Sequence, residues 1–125
     1  MPHPRTYSDD DPYLAEVRKV CLELPEAVEV EAWGRPTWRA GKGKMFAVFE
    51  GDDDHPYALV VLPDPGERQA LLQDLRFYSP RYHGPYGWVG LDLTRQAPDW
   101  DEIAELVRDS YRQVAIKRQL TALGD

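Results

Sequence analysis

One apolar stripe in the C-terminal segment constrains the fold more than any other feature of the chain. The segment DWDEIAELVRDSYRQVAIKRQL places apolar residues at helical spacing among charged ones, namely Ile103, Leu106, Val107, Tyr111 and Val114. Pro98, Asp99 and Glu102 supply the signals of a helix start. A helix with one apolar face must bury that face, so we expect it to pack on another layer of secondary structure.

Short apolar runs between turn residues predict that this layer is a sheet. Strands are expected at Ala27–Trp33, Thr37–Ala40, Lys44–Glu50, Tyr57–Leu62 and Trp88–Leu93. In the first strand Val28 and Val30 alternate with glutamates, the pattern of a half-buried strand whose apolar side faces the core. The run Tyr57–Leu62 is apolar on both faces and is expected at the centre of the sheet.

Two more helices complete the predicted order. Asp11 as N-cap and Pro12 at the first helical position begin a helix that Pro25 ends. The tetrapeptide Asp64-Pro65-Gly66-Glu67 resembles a capping box and begins a short helix that runs to about Asp74. The order α-β-β-β-β-α-β-α predicts an α+β domain, in which an antiparallel sheet of about five strands is backed by the N- and C-terminal helices.

The length and composition indicate a single globular domain in the cytoplasm. The 125 residues suffice for one core but not for two domains, and residues 1–10 are expected to form a flexible N-terminus. The first residues lack the apolar run of a secretion signal, and the longest apolar run is too short to span a membrane. The single cysteine, Cys21, cannot form an internal disulfide and suits a reducing compartment.

The net charge of −7 argues against a generic nucleic-acid-binding protein, but the charges are segregated along the chain. No acidic residue lies between Glu31 and Glu50, or from Leu75 to Leu91. These two acid-free windows hold nine of the 14 aromatic residues together with several arginines and lysines. Basic and aromatic side chains are therefore concentrated in the same two stretches.

The first window predicts a basic hairpin that contacts DNA. Arginines and lysines would bind phosphates while an aromatic ring stacks on a base, and the candidates are Arg35, Trp38, Arg39, Lys42 and Lys44. Arg76 and Arg81 from the second window are candidate second contacts. An ordinary solvated hairpin with lysines at its edge explains the same residues, so both interpretations stay open.

The second window predicts an aromatic loop, residues 77–88, at the rim of a pocket. Its candidate ligand-binding residues are Trp38, Tyr82, His83, Tyr86 and Trp88. Under this alternative the chain is a small-ligand or protein-interaction module that does not bind DNA. The competing explanation is a rigid loop of prolines and glycines whose rings complete a small core.

No motif predicts catalysis, a metal or a cofactor. Asp52-Asp53-Asp54-His55 is expected to be a solvated turn, and His3 and His55 lack the spacing of a zinc ligand pair. Cys21 lies on an apolar helix face and is expected in the core. An enzyme would require a spatial arrangement such as His83 beside an acid, and we expect no catalytic residues and no enzymatic activity.

Four phrases of the sequence, in this order, resemble the MmcQ/YjbR family of small bacterial proteins. They are LPEAVEVEAWGRPTWRAGKGKMFAVF, YALVVLP, FYSPRYHGPYGWVGLDL and DWDEIAELVRDSYRQVAIKRQL, and the similarity runs from about Val17 to Leu120. The resemblance implies a layout similar to that of frataxin-like α+β proteins, and a DNA-binding label based on likeness to double-wing folds. Many members carry a His-Met-Asn-Lys type segment where this chain has His83-Gly84-Pro85-Tyr86-Gly87, so a lysine is missing here.

We therefore expect a cytoplasmic, non-enzymatic binding domain of the MmcQ/YjbR type. DNA is the expected partner because of the family resemblance and because basic residues are concentrated in the two acid-free windows. A small ligand or a protein that binds at the aromatic loop is the alternative. If the hairpin contacts phosphate, neutralising Arg35, Arg39, Lys42 and Lys44 together should abolish binding. A structure shows whether the two acid-free windows share one face of the fold.

Overall fold

A computed structural model of the chain describes residues 4–124. Helices and strands follow one another along these residues as α1 (Leu14–Leu22), β1 (Ala27–Ala32), β2 (Arg35–Ala40), β3 (Met45–Phe49), β4 (Ala58–Val61), α2 (Arg68–Leu72), β5 (Phe77–Tyr78), β6 (Val89–Asp92), α3 (Trp100–Val114) and α4 (Lys117–Leu123). A short 3₁₀ helix, Gly84–Tyr86, lies between β5 and β6.

The strands form one antiparallel sheet in the order β1-β2-β3-β4-β6-β5. This confirms the predicted α+β fold and the central position of the run that contains β4. The sheet has six strands rather than about five within the described residues. The additional strand, β5, consists of only Phe77 and Tyr78, and two residues are too few to show an alternating pattern in the sequence.

The helices α1 and α3 pack on one side of the sheet and enclose the main core. Its largest fully buried side chains include Trp38 of β2, Phe46 of β3 and Tyr111 of α3. The Ser110 hydroxyl of α3 donates a hydrogen bond to the Phe46 carbonyl and accepts one from the backbone N–H of Leu62. The predicted apolar stripe of the last helix therefore packs on the centre of the sheet.

The first strand is turned the opposite way from the prediction. Val28 and Val30 point away from α1 and α3 and are 42% and 38% exposed, respectively. Glu29 lies on the helix side, where Arg18 of α1 donates two hydrogen bonds to its carboxylate. At this edge of the sheet a partly buried ion pair between strand and helix takes the place of apolar packing. The sequence alternates in the same way whether the valines or the glutamates face the helices, so the pattern alone could not decide the orientation.

Two predicted helix starts were wrong by a few residues. The Asp11 carboxylate accepts from the backbone N–H of Ser8 instead of capping a helix, and α1 begins only after Tyr13, which has a left-handed φ of 71°. The Asp64 carboxylate similarly accepts from the N–H of Gly66 in a tight turn that precedes α2. In both places the aspartate closes a local turn, which competes with capping for the same oxygen.

The start of the last helix agrees with the prediction, but its end does not. Asp99 caps α3 by accepting from the backbone N–H groups of Asp101 and Glu102. The helix ends at Val114, and Ala115 and Ile116 are extended before α4 begins. The segment that the sequence predicts as one continuous helix is therefore two helices, α3 and α4.

The N-terminal segment lies against the turn between β1 and β2. Residues 1–3 of the expected flexible N-terminus are outside the described residues. In the remainder, Thr6 hydrogen-bonds to the Gly34 carbonyl through both its N–H and its hydroxyl, and Arg5 pairs with Glu31. Across residues 4–124, no helix combines the length and apolarity needed for a membrane span.

Candidate functional site

The side of the sheet opposite α1 and α3, called the open face below, is only partly covered. Strand register aligns its residues in two rows, Val28–Arg39–Met45 and Val30–Thr37–Val48–Val60–Gly90. A second, smaller apolar cluster forms here from Val48, Val60 and Trp88, and it contains no helix residue. The remaining apolar side chains on this side, such as Val28 and Val30, stay in contact with solvent.

The aromatic loop, residues 77–88, folds across the open face. Arg68 at the start of α2 holds this loop in place, since its Nη2 lies 3.0 Å from Ser79 Oγ, 3.2 Å from the Gly84 carbonyl oxygen and 3.4 Å from that of Trp88. Any Cβ at Gly84 would collide with the Ser79 hydroxyl, so this close approach requires glycine. The two acid-free windows of the sequence therefore meet on one side of the sheet.

A cleft of about 720 Å³ opens between the loop and the strands. It is lined by Trp33, Arg35, Met45, Glu50, Tyr82, His83 and Tyr86. Three of these are exposed aromatic residues: Trp33 is 50%, Tyr82 67% and Tyr86 81% exposed. The cleft thus has aromatic walls, a composition typical of sites that bind planar or apolar groups.

The floor of the cleft is a chain of three polar side chains. Arg35 Nη1 lies 2.6 Å from Glu50 Oε1 and 3.3 Å from the carbonyl oxygen of Gly51. The other carboxylate oxygen, Glu50 Oε2, is buried and lies 3.3 Å from His83 Nε2, but the geometry is not that of a hydrogen bond. The floor therefore presents donors and an acceptor side by side beneath aromatic rings.

Trp33 occupies an unusual backbone position. It forms the two-residue turn between β1 and β2 together with Gly34, and both residues have positive φ, 55° and 76°. Hairpin turns of this kind strongly favour asparagine or glycine at the first position, and a bulky side chain there is strained. The turn projects the indole toward His83, with the ring centroids 6.1 Å apart.

The residues predicted to bind DNA lie in different environments in the structure. Trp38 is completely buried beneath α3 and cannot stack on a base, so its assignment to either site was wrong. Arg35 is paired with Glu50, and Arg76 is held between Asp74 and Glu102. In these three cases a contact from another part of the chain occupies the side chain.

The other predicted bases remain available. Within residues 4–124 the structure gives Arg39, Lys42 and Lys44 no ion pair with an acid. Arg39 lies on the open face, and the two lysines lie in and beside the adjoining β2–β3 turn. Arg81 lies on the aromatic loop with its guanidinium carbon 5.5 Å from the centroid of the Tyr82 ring.

Most of the residues predicted for the alternative ligand-binding site lie close together in the structure. Tyr82, His83 and Tyr86 line the cleft. Trp88 is 9% exposed and packs against Val48 and Val60, so it supports the loop from below and does not line the cleft, which corrects that part of the prediction. Trp38 does not reach the cleft either, because it is buried on the other side of the sheet.

Sequence reasoning missed three residues that build the site. The sequence places Trp33 at the end of a predicted strand, although Gly34 between two apolar runs is a signal for a tight turn. Glu50 and Arg68 carried no signal, because their roles depend on contacts with Arg35, His83 and the aromatic loop, which are distant in the sequence.

The acidic loop and the cysteine behave as predicted. The Asp52 carboxylate accepts from the backbone N–H groups of Asp54 and His55 and closes a turn. The His55 ring stacks on Tyr78 at 3.6 Å, and burial together with nearby carboxylates raises the pKa of Tyr78. Burial likewise raises the pKa of the Cys21 thiol well above its usual value, which keeps it unreactive.

Comparisons with known proteins agree with this fold. A family model described as YjbR matches residues 22–113, more than half of the chain. The chain is also similar to the crystal structure of protein DR2400 from Deinococcus radiodurans, whose family-model domain is DUF419, with a TM-score of 0.66 and 24% sequence identity over 89% of this chain and 87% of that chain. A comparison with curated proteins found no match. The likeness of structure shows the shared fold, and the family match confirms that the chain belongs to the YjbR family.

Proposed function

We propose that this protein is a non-enzymatic binding domain that binds single-stranded DNA on the open face. The observation that carries the proposal is that the exposed aromatic rings of Trp33, Tyr82 and Tyr86 border one cleft, with Arg39 paired in register to the cleft residue Met45 and Arg81 next to the Tyr82 ring. Proteins that bind single strands combine the same two elements, aromatic platforms for bases and basic side chains for the backbone.

A single strand fits this surface better than a duplex. Bases in a duplex are stacked on one another, so their faces are not free to stack on Tyr82 or Tyr86. The buried Trp38 and the paired Arg35 also remove two contacts from the predicted basic hairpin. What remains is an aromatic surface with basic side chains at its margin, and this surface favours unpaired bases.

The charge of the chain is compatible with this proposal because many of the acids lie away from the cleft. The first turn of α3 carries Asp101 and Glu102, for example, whereas Asp52 and Asp53 line a neighbouring cavity beside Arg35 and not the cleft itself. Among the described residues that line the cleft, Glu50 is the single acid, and it is already paired with Arg35. Local potential, not net charge, steers a polyanion toward a binding surface.

The cleft residues favour binding over catalysis. His83 does lie beside an acid, at 3.3 Å from Glu50 Oε2, as an enzymatic site would require. However, none of the described residues that line the cleft is a serine, cysteine, threonine or lysine that such a pair could activate as a nucleophile. The same carboxylate also pairs with Arg35, which reduces its capacity to polarise the imidazole.

Fluorescence anisotropy of labelled oligonucleotides tests the proposal. We expect saturable binding of a single strand that weakens steeply with added salt, and weaker binding of a duplex of the same length. Absence of any salt-dependent binding to the single strand, even at low salt, would refute the proposed function.

A pair of matched variants tests the location of the site. Replacing Arg39, Lys44 and Arg81 with glutamine should weaken binding and reduce the slope of log affinity against log salt by about 0.7 for each phosphate that is no longer neutralised. Replacing Lys19, Arg95 and Lys117 with glutamine gives the same net charge at exposed positions away from the cleft. Equal weakening by both variants would mean that net charge, and not the open face, governs binding.

A small ligand or a protein is the second candidate, and the cleft lining favours it. Tyr82, His83 and Tyr86, which the sequence suggested for this role, surround a cavity within the size range of small-molecule sites. This candidate predicts that replacing the basic side chains of Arg39, Lys44 and Arg81 leaves ligand binding intact. The matched variants therefore separate the two candidates.

A further inference from the structure

We propose that the cleft takes a single unpaired nucleobase, whose ring stacks against the aromatic walls while its hydrogen-bonding edge meets Arg35 and Glu50 at the floor. This inference rests on the proposed function and deepens it, because it names the part of the ligand that the cleft recognises. The occupant is a nucleobase, either within a single strand or in a free nucleotide.

The shape and lining of the cleft suit such an occupant. Its volume of about 720 Å³ leaves room for a base together with its sugar. Trp33 comes from the β1–β2 turn, whereas Tyr82 and Tyr86 come from the aromatic loop, so the rings border the cleft from two different segments. A flat aromatic ligand can gain stacking contacts from more than one of these rings.

The polar floor adds a requirement for hydrogen bonds. Every unpaired nucleobase presents both hydrogen-bond donors and acceptors along its Watson–Crick edge. Arg35 Nη1 and Glu50 Oε1 are already paired with each other at 2.6 Å, so the Arg35 guanidinium would donate to a nucleobase through its other N–H groups. Glu50 Oε2 has no hydrogen-bond partner among the described residues and is the acceptor left for the nucleobase. A purely apolar ligand would leave that oxygen without a partner, and a free phosphate would meet the Glu50 carboxylate. A ring with a polar edge can stack on the aromatic walls and form hydrogen bonds at the floor.

The strained position of Trp33 is an independent observation. A large apolar side chain that is half exposed, at φ 55° in a turn that favours asparagine, weakens the fold without serving its core. Strained residues of this kind cluster at ligand-binding sites, where the surroundings hold them in place. The indole of Trp33 borders the cleft, so the strain is explained if that ring contacts the ligand.

An abasic oligonucleotide tests the inference separately from the proposed function. Oligothymidylate and a strand of equal length that lacks its bases carry the same phosphates, so basic side chains bind both. If a base enters the cleft, the abasic strand should bind roughly tenfold more weakly or worse, which is the usual effect of removing one stacked base. Equal binding of the two strands would overturn the inference and leave the proposed function standing, whereas no binding of either strand would overturn both.

Variants of the cleft complete the test. Trp33→Asn suits the turn better than tryptophan and should therefore fold, yet it should weaken oligothymidylate binding roughly tenfold while leaving the abasic strand unchanged. Leu75→Asn removes another exposed apolar side chain, 79% exposed and outside the cleft, and should change neither affinity. An undiminished affinity of Trp33→Asn for oligothymidylate would remove Trp33 from the site and overturn the inference.

Free nucleoside monophosphates distinguish the two sources of the base. If a monophosphate competes with oligothymidylate, and Trp33→Asn abolishes the competition, the cleft also serves free nucleotides. If only strands bind, the base is read as part of a nucleic acid. Competition by inorganic phosphate alone, equal to that by the nucleotide, would show that the cleft does not recognise the base and would contradict the inference.

Discussion

Trp33 combines a left-handed backbone conformation with a half-exposed indole ring. Its left-handed φ of 55° costs of order 1–3 kcal/mol for a residue other than glycine, asparagine or aspartate. Half of its surface is exposed, so burial offsets only part of that cost. The proposed site gives this exposed indole a contact with the ligand.

Substitutions at Trp33 should change stability according to their tolerance of the turn. Trp33→Asn should raise the free energy of unfolding by up to about 1 kcal/mol, because asparagine tolerates the turn conformation. Trp33→Val should lower it, since a β-branched residue is the least tolerant of positive φ. Urea denaturation measures both variants, and equal destabilisation by the two would mean that the indole stabilises the fold through its contact with His83.

Asp74 provides a prediction about pH. Hydrogen bonds from the Arg76 side chain and backbone lower the pKa of Asp74 to about 2. Because this folded-state pKa lies below the unfolded value of about 3.9, the pair stabilises the fold above pH ~4 and loses that contribution as the pH falls toward about 2. Asp74→Asn should therefore unfold at a lower temperature than the natural chain near neutral pH and at the same temperature near the acid limit.

The matched control for this prediction is Asp53→Asn, which removes an exposed aspartate in the loop 52–54. Its melting temperature should follow that of the natural chain at every pH. A constant difference between Asp74→Asn and the natural chain across the whole pH range would contradict the role given to the Arg76 contact.

At the scale of elements, the aromatic loop is held by a contact that secondary structure does not provide. Residues 79–88 contain only one short 3₁₀ helix and no strand, so their position depends on side-chain anchors. Arg68 provides three polar contacts to the loop from one nitrogen, and Trp88 packs beneath it. Removal of such an anchor should open the loop without unfolding the sheet.

Arg68→Met tests this anchor. Amide hydrogens of residues 79–88 should exchange faster in the variant, while those of β3 and β4 keep their protection. The affinity for single-stranded DNA should fall as well, because Tyr82 and Tyr86 lose their fixed positions. Arg95→Met, at an exposed position outside the cleft, is the control and should change neither property. Uniformly faster exchange in Arg68→Met would mean that this arginine supports the whole core.

At the scale of the molecule, the two sides of the sheet have different structural roles. The helix side buries the main core, and the open face carries the cleft, the exposed aromatic rings and Arg39. If single-stranded DNA binds as proposed, hydrogen exchange should slow in β2, β3 and the aromatic loop and remain unchanged in α1 and α3. Protection confined to α1 or α3 would place the ligand on the wrong side and contradict the proposal.

Much of the fold could be predicted from the sequence, but only part of the site. The order of helices and strands was predicted apart from the short β5 and the division between α3 and α4. Of the proposed site residues, Tyr82, His83 and Tyr86 were predicted together, since they are neighbours in one loop. The prediction that Trp38 lies at a binding surface was wrong, because an aromatic side chain suits a core and a binding surface equally well.

By itself the sequence determined the elements and their family, because apolar periodicity, capping residues and turn signals act over a few neighbouring positions. Only the tertiary structure decided that the two acid-free windows meet, that β1 turns its valines outward, and that Glu50 contacts Arg35 and His83. These outcomes depend on which side of the sheet the helices cover. That choice is made by packing between segments far apart in the chain, and local patterns carry no information about it.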